Sequence, residues 1–321
     1  MSTPIYPAAR ICADFVSRAL EAPQNDRRPL FIGFQGPQGS GKTTLTNQIK
    51  TLLGALPTPA HAIVFSIDDL YLPYSGLVHI AQTHPENALL QGRGLPGTHD
   101  PILGAEILER LSYINEKQAD QNLVPVSLPV FDKSAYRGFG DRSNETVSVH
   151  PPVDVVILEG WCFGFQPLSF EELEMRYNPS GTEEGSKDTS LDGSHIVDEL
   201  STSRSRSYFK SHSLKSLADI NRNLQNYADL WYRYFTHFIQ QVVPENLYAV
   251  FDWRLQQEHA MKLNNGGCGM TDEEVHNFVA RYMPGYELFQ DTIERQENPW
   301  IGRGLKIVLD KQRTVIKTGQ F

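Results

Sequence analysis

Apolar residues recur at helical spacing from about Pro7 to Ala22, where Ile11, Phe15, Val16, Ala19 and Leu20 share one face, so an amphipathic helix is expected there. Leu30–Phe34 is instead a short continuous apolar run, read as a buried strand. It enters a glycine-rich turn before helical periodicity resumes over Thr43–Leu56. A second buried strand is expected at Ala62–Ile67, ending in Asp68 and Asp69. Pro73–Pro101, rich in Gly, Pro and His, reads as a loop leading to a helix near Ile102–Ile114. Val124–Val130 and Val153–Leu158 are further strands, the latter with the unbroken apolar pattern of a parallel strand covered on both faces. A long helix is expected over Leu214–Val243, with Leu217, Leu224, Tyr227, Leu230, Trp231, Tyr234 and Phe238 at its apolar positions. Leu247–Phe251 reads as a strand, and Thr271–Glu274 has the form of a capping box opening a helix through Tyr282. Gly304–Leu309 is expected as a last edge strand. Strands alternating with helices predict a parallel α/β sandwich.

Arg176–Ser207 interrupts this pattern. It is packed with Ser, Thr, Gly, Asp and Glu and is nearly devoid of apolar residues, so it cannot bury enough surface to offset the entropy of ordering. We read residues 176–207 as a flexible insertion within a single domain spanning residues 1–321. The composition suits a soluble α/β protein: 40% apolar residues support a sizeable core, and 21% are charged. A formal net charge of −9 argues against nucleic acid or an anionic membrane as partner, because both demand a cationic surface. Cys12, Cys162 and Cys268 are scattered, with no metal-ligand spacing, which fits a reducing compartment. Without a secretory signal or a membrane-spanning run, the expected location is cytoplasmic, with nuclear access left open. A monomer is the expectation, although sequence leaves the oligomeric state open.

The chemistry begins at Gly36–Thr43, which fits GxxxxGK[ST] between a strand and a helix. Glycines let backbone N–H groups converge on phosphates, and the helix that follows adds its positive end. Nucleotide contacts are therefore assigned to Gly36, Pro37, Gln38, Gly39, Ser40, Gly41, Lys42, Thr43 and Thr44. Lys42 would neutralise the β- and γ-phosphates of ATP, and the Thr43 hydroxyl would ligate Mg²⁺. A second acidic group is needed at the end of a neighbouring apolar strand, and Glu159 supplies it as the other metal residue. The guanine-reading NKxD motif of GTPases is absent.

Asp68 and Asp69, just past the second strand, stand where an acceptor hydroxyl could meet the γ-phosphate. Neighbouring residues on a strand face opposite ways, so one of them is expected to face the acceptor, and Asp68 is the choice over Asp69. Lys133, Arg137 and Arg142 fall in one glycine-containing loop and Arg93 in another. Arginine pairs bidentately with carboxylates, so these cations suit a small anionic hydroxy acid. His99 and Asp100 have two readings, as substrate contacts or as a turn and helix cap before Pro101.

The Ser66-Ile67-Asp68 stretch resembles the S-x-D motif of the uridine, pantothenate, phosphoribulose and glycerate kinases. Gly92–Asp100, Phe131–Arg142, Glu159–Phe165, Phe251–Glu258, Gly269–Val275 and Phe278–Pro284 are similar to motifs of plant and fungal D-glycerate 3-kinases. The resemblance implies a P-loop nucleoside-triphosphate-hydrolase-like three-layer α/β sandwich with a parallel central sheet in nucleoside-kinase strand order and a helical lid region. It further implies ATP-Mg-dependent phosphoryl transfer to D-glycerate, with Asp68 acting on the hydroxyl and Arg254 as a lid arginine over the phosphates. Catalytic roles then fall to Asp68, Lys42 and Arg254, and acceptor contacts to Asp69, Arg93, His99, Lys133 and Arg142. The alternatives are the same chemistry on another small acceptor, or a nucleotide-regulated P-loop binding protein or ATPase. Deleting Glu183–Ser203 is expected to leave the melting temperature within a few degrees of the full chain, since few apolar groups are lost. A scanning-calorimetry drop of about 10 °C or more would show that the segment packs into the core.

Overall fold

The computed structural model describes residues 4–22, 27–116, 123–179, 207–243, 247–264 and 266–321. The chain runs through α1 (Pro7–Glu21), β1 (Leu30–Gln35), α2 (Lys42–Gly54), β2 (Ala62–Ser66), α3 (Tyr74–Thr83) and α4 (Pro101–Ser112). It continues as β3 (Val126–Asp132), the single turn α5 (Ala135–Gly138), β4 (Asp141–Val149), β5 (Val155–Gly160) and α6 (Phe170–Tyr177). Then come α7 (Leu214–Leu230), β6 (His237–Val242), α8 (Ala249–Asn264), α9 (Asp272–Phe289), β7 (Gly304–Leu309) and β8 (Val315–Gln320). The main sheet has the order β2-β5-β1-β6-β7-β8, parallel through β7, with β8 added antiparallel. β3 and β4 form a separate antiparallel hairpin.

The period-two geometry of a strand explains why the central strands are apolar throughout. Phe31, Ile63, Phe65, Val156 and Leu158 join one core cluster, on the side of α4, α7 and α9. Their neighbours Leu30, Ile32, Phe34, Ala62, Val155 and Ile157 join the other, against α1 and α2. The three-layer parallel α/β architecture expected from the sequence is thus observed. Among the described residues, no helix is long and apolar enough to cross a membrane.

Several boundaries differ from expectation for tertiary reasons. The helix expected over Leu214–Val243 ends at Leu230, and His237–Val242 is strand β6, paired with β1 and β7. Its closely spaced aromatics satisfy either period, so pairing with the exposed backbone of β1 decides. The strand expected at Leu247–Phe251 is the entry to α8, with Ala249–Phe251 already helical. The loop expected over Pro73–Pro101 contains α3. Helix α9 continues past Pro284 to Phe289, because Met283, Tyr286, Leu288 and Phe289 are all buried, and that packing outweighs the lost backbone bond. Its capping box is formed, with the Thr271 hydroxyl accepting from Glu274 N and Glu274 accepting from Thr271 N. Gly304–Leu309 is a strand, but β8 covers it and takes the edge. β3 stands in the hairpin instead of the parallel sheet. Of the expected insertion, Arg176 and Tyr177 close α6 and Ser207 precedes a 3₁₀ turn, whereas residues 180–206 lie outside the described residues.

Gly33, in the middle of β1, has no room for a side chain: a Cβ there would come within 2.5 Å of the Phe238 ring and 2.9 Å of Phe163. Gly33→Ala should therefore destabilise by about 1–3 kcal/mol in urea unfolding, through overpacking. Gly54→Ala, where a Cβ meets nothing within 4 Å, should be neutral or stabilising by up to about 1 kcal/mol and serves as the control. Equal effects at the two positions would refute this packing argument.

Candidate active site

The parallel register sets the site. Phe34 stands opposite Glu159 and Gln35 opposite Gly160, while Ser66 flanks Glu159 from the other side. The turns leaving β1, β2 and β5 therefore open at one end of the sheet, where ligands of open α/β folds bind.

The turn after β1 is the phosphate loop expected from the sequence. Gly39 and Gly41 take left-handed φ values of 73° and 86°, which a side chain would resist. A Cβ on Gly39 would also lie 2.7 Å from Trp253 Cβ, so α8 lies directly against the loop. Gly41 is the N-cap of α2, and no side chain caps this end, which leaves the helix N-terminus to a phosphate. Gly36 N–H donates to the Gly160 carbonyl at 3.4 Å, Ser40 Oγ donates to Gln241 Oε1 at 2.9 Å, and Gln38 N–H donates to Tyr286 Oη at 3.0 Å. Arg313 from the β7–β8 turn donates through Nε to the Gly39 carbonyl at 2.7 Å. The loop is thus held by hydrogen bonds with β5, β6, α9 and the β7–β8 turn, none of which the motif contains. Pro37, Lys42, Thr43 and Thr44 complete it, and Lys42 Nζ donates to the Pro37 carbonyl at 3.0 Å.

Thr43 and Glu159, assigned as the metal pair, do meet: the Thr43 hydroxyl donates to Glu159 Oε1 at 3.2 Å. Burial raises the Glu159 pKa against the opposing charge of Lys42, while burial lowers that of Lys42 against the pull of Glu159 and Asp68. Among the described residues there is no cluster of three or more His, Cys, Asp or Glu side chains able to hold a metal. Two oxygen ligands completed by phosphate oxygens and water match the habit of Mg²⁺, so the residues fit that ion.

Past β2 the chain turns into a 3₁₀ helix, Ile67–Leu70, whose N-terminus is capped by Ser66 Oγ accepting from Asp68 N–H at 3.2 Å. This cap is the physical content of the S-x-D spacing. Asp68 and Asp69 thereby diverge, on a turn instead of a strand. Asp69 accepts from Phe131 N–H at 3.3 Å and faces the hairpin. Asp68 accepts from Tyr71 Oη at 3.1 Å and from Lys133 Nζ at 2.5 Å. Burial pushes the Asp68 pKa up, but the charge and hydrogen bond of Lys133, aided by His99 and Lys42, overcome it and bring the carboxyl to about 2. Lys133 is raised in turn, chiefly by Asp68.

The remaining predicted residues divide. Arg93 donates to the Gly138 carbonyl and, at 2.7 Å, to that of Phe139, and its guanidinium lies over the Phe131 ring. His99 is buried at 2% exposure, with Nδ1 sharing a hydrogen bond of 2.6 Å with Tyr227 Oη, and burial lowers its pKa to about 4. Asp100 caps α4, accepting from Leu103 N–H at 3.0 Å. Arg142 donates to the Tyr71 carbonyl at 3.0 Å and to Asp100 Oδ2 at 3.2 Å. His99 and Arg142 therefore both pack against Tyr71, with His99 near enough to Asp68 for their charges to interact. Arg254 is ion-paired with Glu258 at 2.8 Å and lies over the Phe278 ring. Tyr71, Gln241, Tyr286 and Arg313 were not singled out from the sequence. Only Tyr71, beside the S-x-D stretch, carried a signal, since the others reach the site by tertiary contact alone.

The Asp68–Lys133 pair has a definite pH signature. A carboxyl whose pKa falls on folding contributes stability that is complete above its unfolded value, near 3.8, and is lost as pH falls toward about 2. The raised Lys133 extends the pair's range at the alkaline end. Lys133→Met should therefore narrow its stability deficit between pH 4 and 2 and hold it constant through neutrality, as read from urea unfolding at each pH. A deficit independent of pH across that acid range would contradict the ion pair.

No family model matches the chain. It is 36% identical to the probable ATP-dependent kinase TDA10 of Saccharomyces cerevisiae, over 90% of this chain and 88% of that protein. It is 33% identical to the chloroplastic D-glycerate 3-kinase of Arabidopsis thaliana, over 91% of this chain but 55% of that longer protein. A solved structure of D-glycerate 3-kinase from Cryptococcus neoformans superposes with a TM-score of 0.83 at 38% identity, covering 98% of this chain and 99% of that one.

Proposed function

The chain belongs to the D-glycerate 3-kinase family of ATP-dependent small-molecule kinases, and on that premise we propose that it phosphorylates a hydroxyl of D-glycerate with ATP and Mg²⁺. One observation carries the choice of a hydroxy acid: Lys133, whose side chain is 55% exposed, places its ammonium 2.5 Å from the Asp68 carboxylate. An acid for the hydroxyl and a cation for the carboxylate are thereby side by side, at the strand end next to the phosphate loop.

In this reading the phosphate loop and Lys42 hold the phosphates of ATP, and Thr43 and Glu159 hold Mg²⁺, which neutralises charge on the phosphate oxygens. Asp68 accepts the acceptor's O–H and aims the oxygen at phosphorus. A carboxylate with a pKa of about 2 is a weak base, so its first task is orientation. When the acceptor's own carboxylate draws Lys133 away, Asp68 loses its main counter-charge and becomes a better proton acceptor. The proton then passes to Asp68 as the new O–P bond forms and ADP leaves. Arg93, on the neighbouring loop, is the second cation we assign to the acceptor, and Asp69 holds the hairpin that carries Lys133. Arg254 would have to leave Glu258 to reach the phosphates, which makes that ion pair the resting position of a lid arginine.

A coupled ADP-release assay over D-glycerate, glycerol, pantothenate, uridine and ribulose 5-phosphate tests the proposal. D-Glycerate should be the best acceptor and glycerol, lacking the carboxylate, a poor one. Lys133→Ala should lower kcat/KM for D-glycerate roughly ten- to a hundredfold, the loss of a charge-assisted contact of about 1.5–3 kcal/mol, with ATP affinity nearly unchanged. Asp68→Asn should instead reduce kcat. Equal use of glycerol and D-glycerate, or ADP release unaffected by any acceptor, would defeat the carboxylate-clamp reading.

A further inference from the structure

Three residues that the sequence marked as acceptor contacts or as a helix cap, His99, Asp100 and Arg142, converge on a residue it did not mark, Tyr71. The Tyr71 ring stacks on His99 with centroids 4.3 Å apart and planes 21° apart, and meets the Phe131 ring edge-on at 5.2 Å. Its carbonyl accepts from Arg142, which is itself tied to Asp100. Its backbone forms an isolated antiparallel bridge with His99, flanked by Asp100 N–H donating to the Leu70 carbonyl at 2.7 Å and Leu72 N–H donating to that of Thr98 at 3.0 Å. Behind His99, Tyr227 stacks on Trp231 at 4.4 Å, and Trp231 Nε1 donates to the Pro101 carbonyl at 2.8 Å. Tyr71 is 2% exposed, so this bracing places one phenol hydroxyl in one position, and that hydroxyl donates to Asp68 Oδ1 at 3.1 Å.

We infer that Tyr71 is a positioning residue for phosphoryl transfer: its braced hydroxyl fixes Asp68 Oδ1 and so presents Oδ2 to the acceptor. The two Asp68 oxygens have partners of different permanence. Oδ1 is held from the buried side by a ring that cannot turn away without breaking the His99 stack. Oδ2 faces a lysine that is 55% exposed, on the loop between the hairpin strands, and that partner can be exchanged. Burial and the nearby Asp68 charge keep the Tyr71 phenol protonated, so it remains a donor throughout neutral pH. A carboxylate turns easily about its last bond. Without Tyr71 it would follow Lys133 when the acceptor draws the ammonium, and lose its aim as the hydroxyl arrives.

The inference rests on the proposed role of Asp68, and its test separates the two. Tyr71→Phe keeps the ring, the stack and every backbone anchor while removing the hydroxyl. With D-glycerate it should lower kcat about tenfold, with KM for ATP and the melting temperature nearly unchanged. In an Asp68→Asn background the same change should cost almost nothing further, because the group it orients is gone. Crystals of wild type and Tyr71→Phe give a readout independent of any acceptor: the Asp68 carboxylate should turn by more than about 30° in the variant. A carboxylate that keeps its orientation overturns the inference whatever the rates do, and so do losses that multiply in the double variant. If Asp68→Asn retains full kcat, the catalytic reading of Asp68 fails. If D-glycerate is not phosphorylated at all, the acceptor assignment fails. In both cases the crystals still decide whether Tyr71 sets the carboxylate.

Discussion

The parallel pairing of β1 with β5 is the constraint on which everything else depends. Its register sets Phe34 beside Glu159 and Gln35 beside Gly160, so the strand that feeds the phosphate loop ends level with the strand that supplies the acid. Slipping a parallel pair by one residue would reverse which side chains enter each core, and both faces here are packed with Val, Ile, Leu and Phe. Hydrophobic burial over two faces therefore enforces, to the residue, the 3.2 Å approach of Thr43 to Glu159. β2, on the far side of β5, brings Ser66 level with the same glutamate and so delivers Asp68 to the same end of the sheet.

Within that frame, two carboxylates close to each other take opposite electrostatic courses. Glu159 is buried with a lysine that is itself desolvated, and its pKa rises. Asp68 is also penalised by burial, yet the ammonium of Lys133 at bonding distance outweighs the penalty and takes it down to about 2. The difference lies in partners, not in residue type, and under the proposed mechanism it separates the tasks. A raised acid beside a hydroxyl gains most from a cation such as Mg²⁺, whereas a depressed acid stays charged and can orient a hydroxyl. The family relationship establishes an ATP-dependent kinase. The pairing of Asp68 with a half-exposed lysine is what favours an anionic hydroxy acid among the possible acceptors.

Much of this was legible in the chain because it depends on short-range patterns. The phosphate loop was readable from glycine spacing, since backbone convergence on phosphate has few solutions. The S-x-D stretch was readable because Ser66 and Asp68 form one local cap. The capping box at Thr271–Glu274 likewise involves only neighbours. The misread stretches share a different cause: Trp231, Tyr232, Tyr234, Phe235 and Phe238 suit a helix or a strand equally, and the open edge of β1 selected the strand. α9 was expected only through Tyr282, but the burial of Met283, Tyr286, Leu288 and Phe289 carries the helix past Pro284 to Phe289.

By itself, then, the sequence determined the layer architecture, the phosphate loop and the Ser66–Asp68 cap, because each follows from periodicity or from contacts a few residues long. Tertiary structure alone decided which of the marked cations meets Asp68 and which braces Tyr71. Lys133 reaches Asp68 across 65 residues of chain and Arg142 reaches Tyr71 across 71. His99 finds Tyr227 across 128 residues. A charged residue in a glycine-rich loop has the same appearance in sequence whichever side of a tyrosine it occupies. Which side it takes depends on how the β3–β4 hairpin and the segment before α4 pack around the 3₁₀ turn after β2, and that packing is a property of the assembled core.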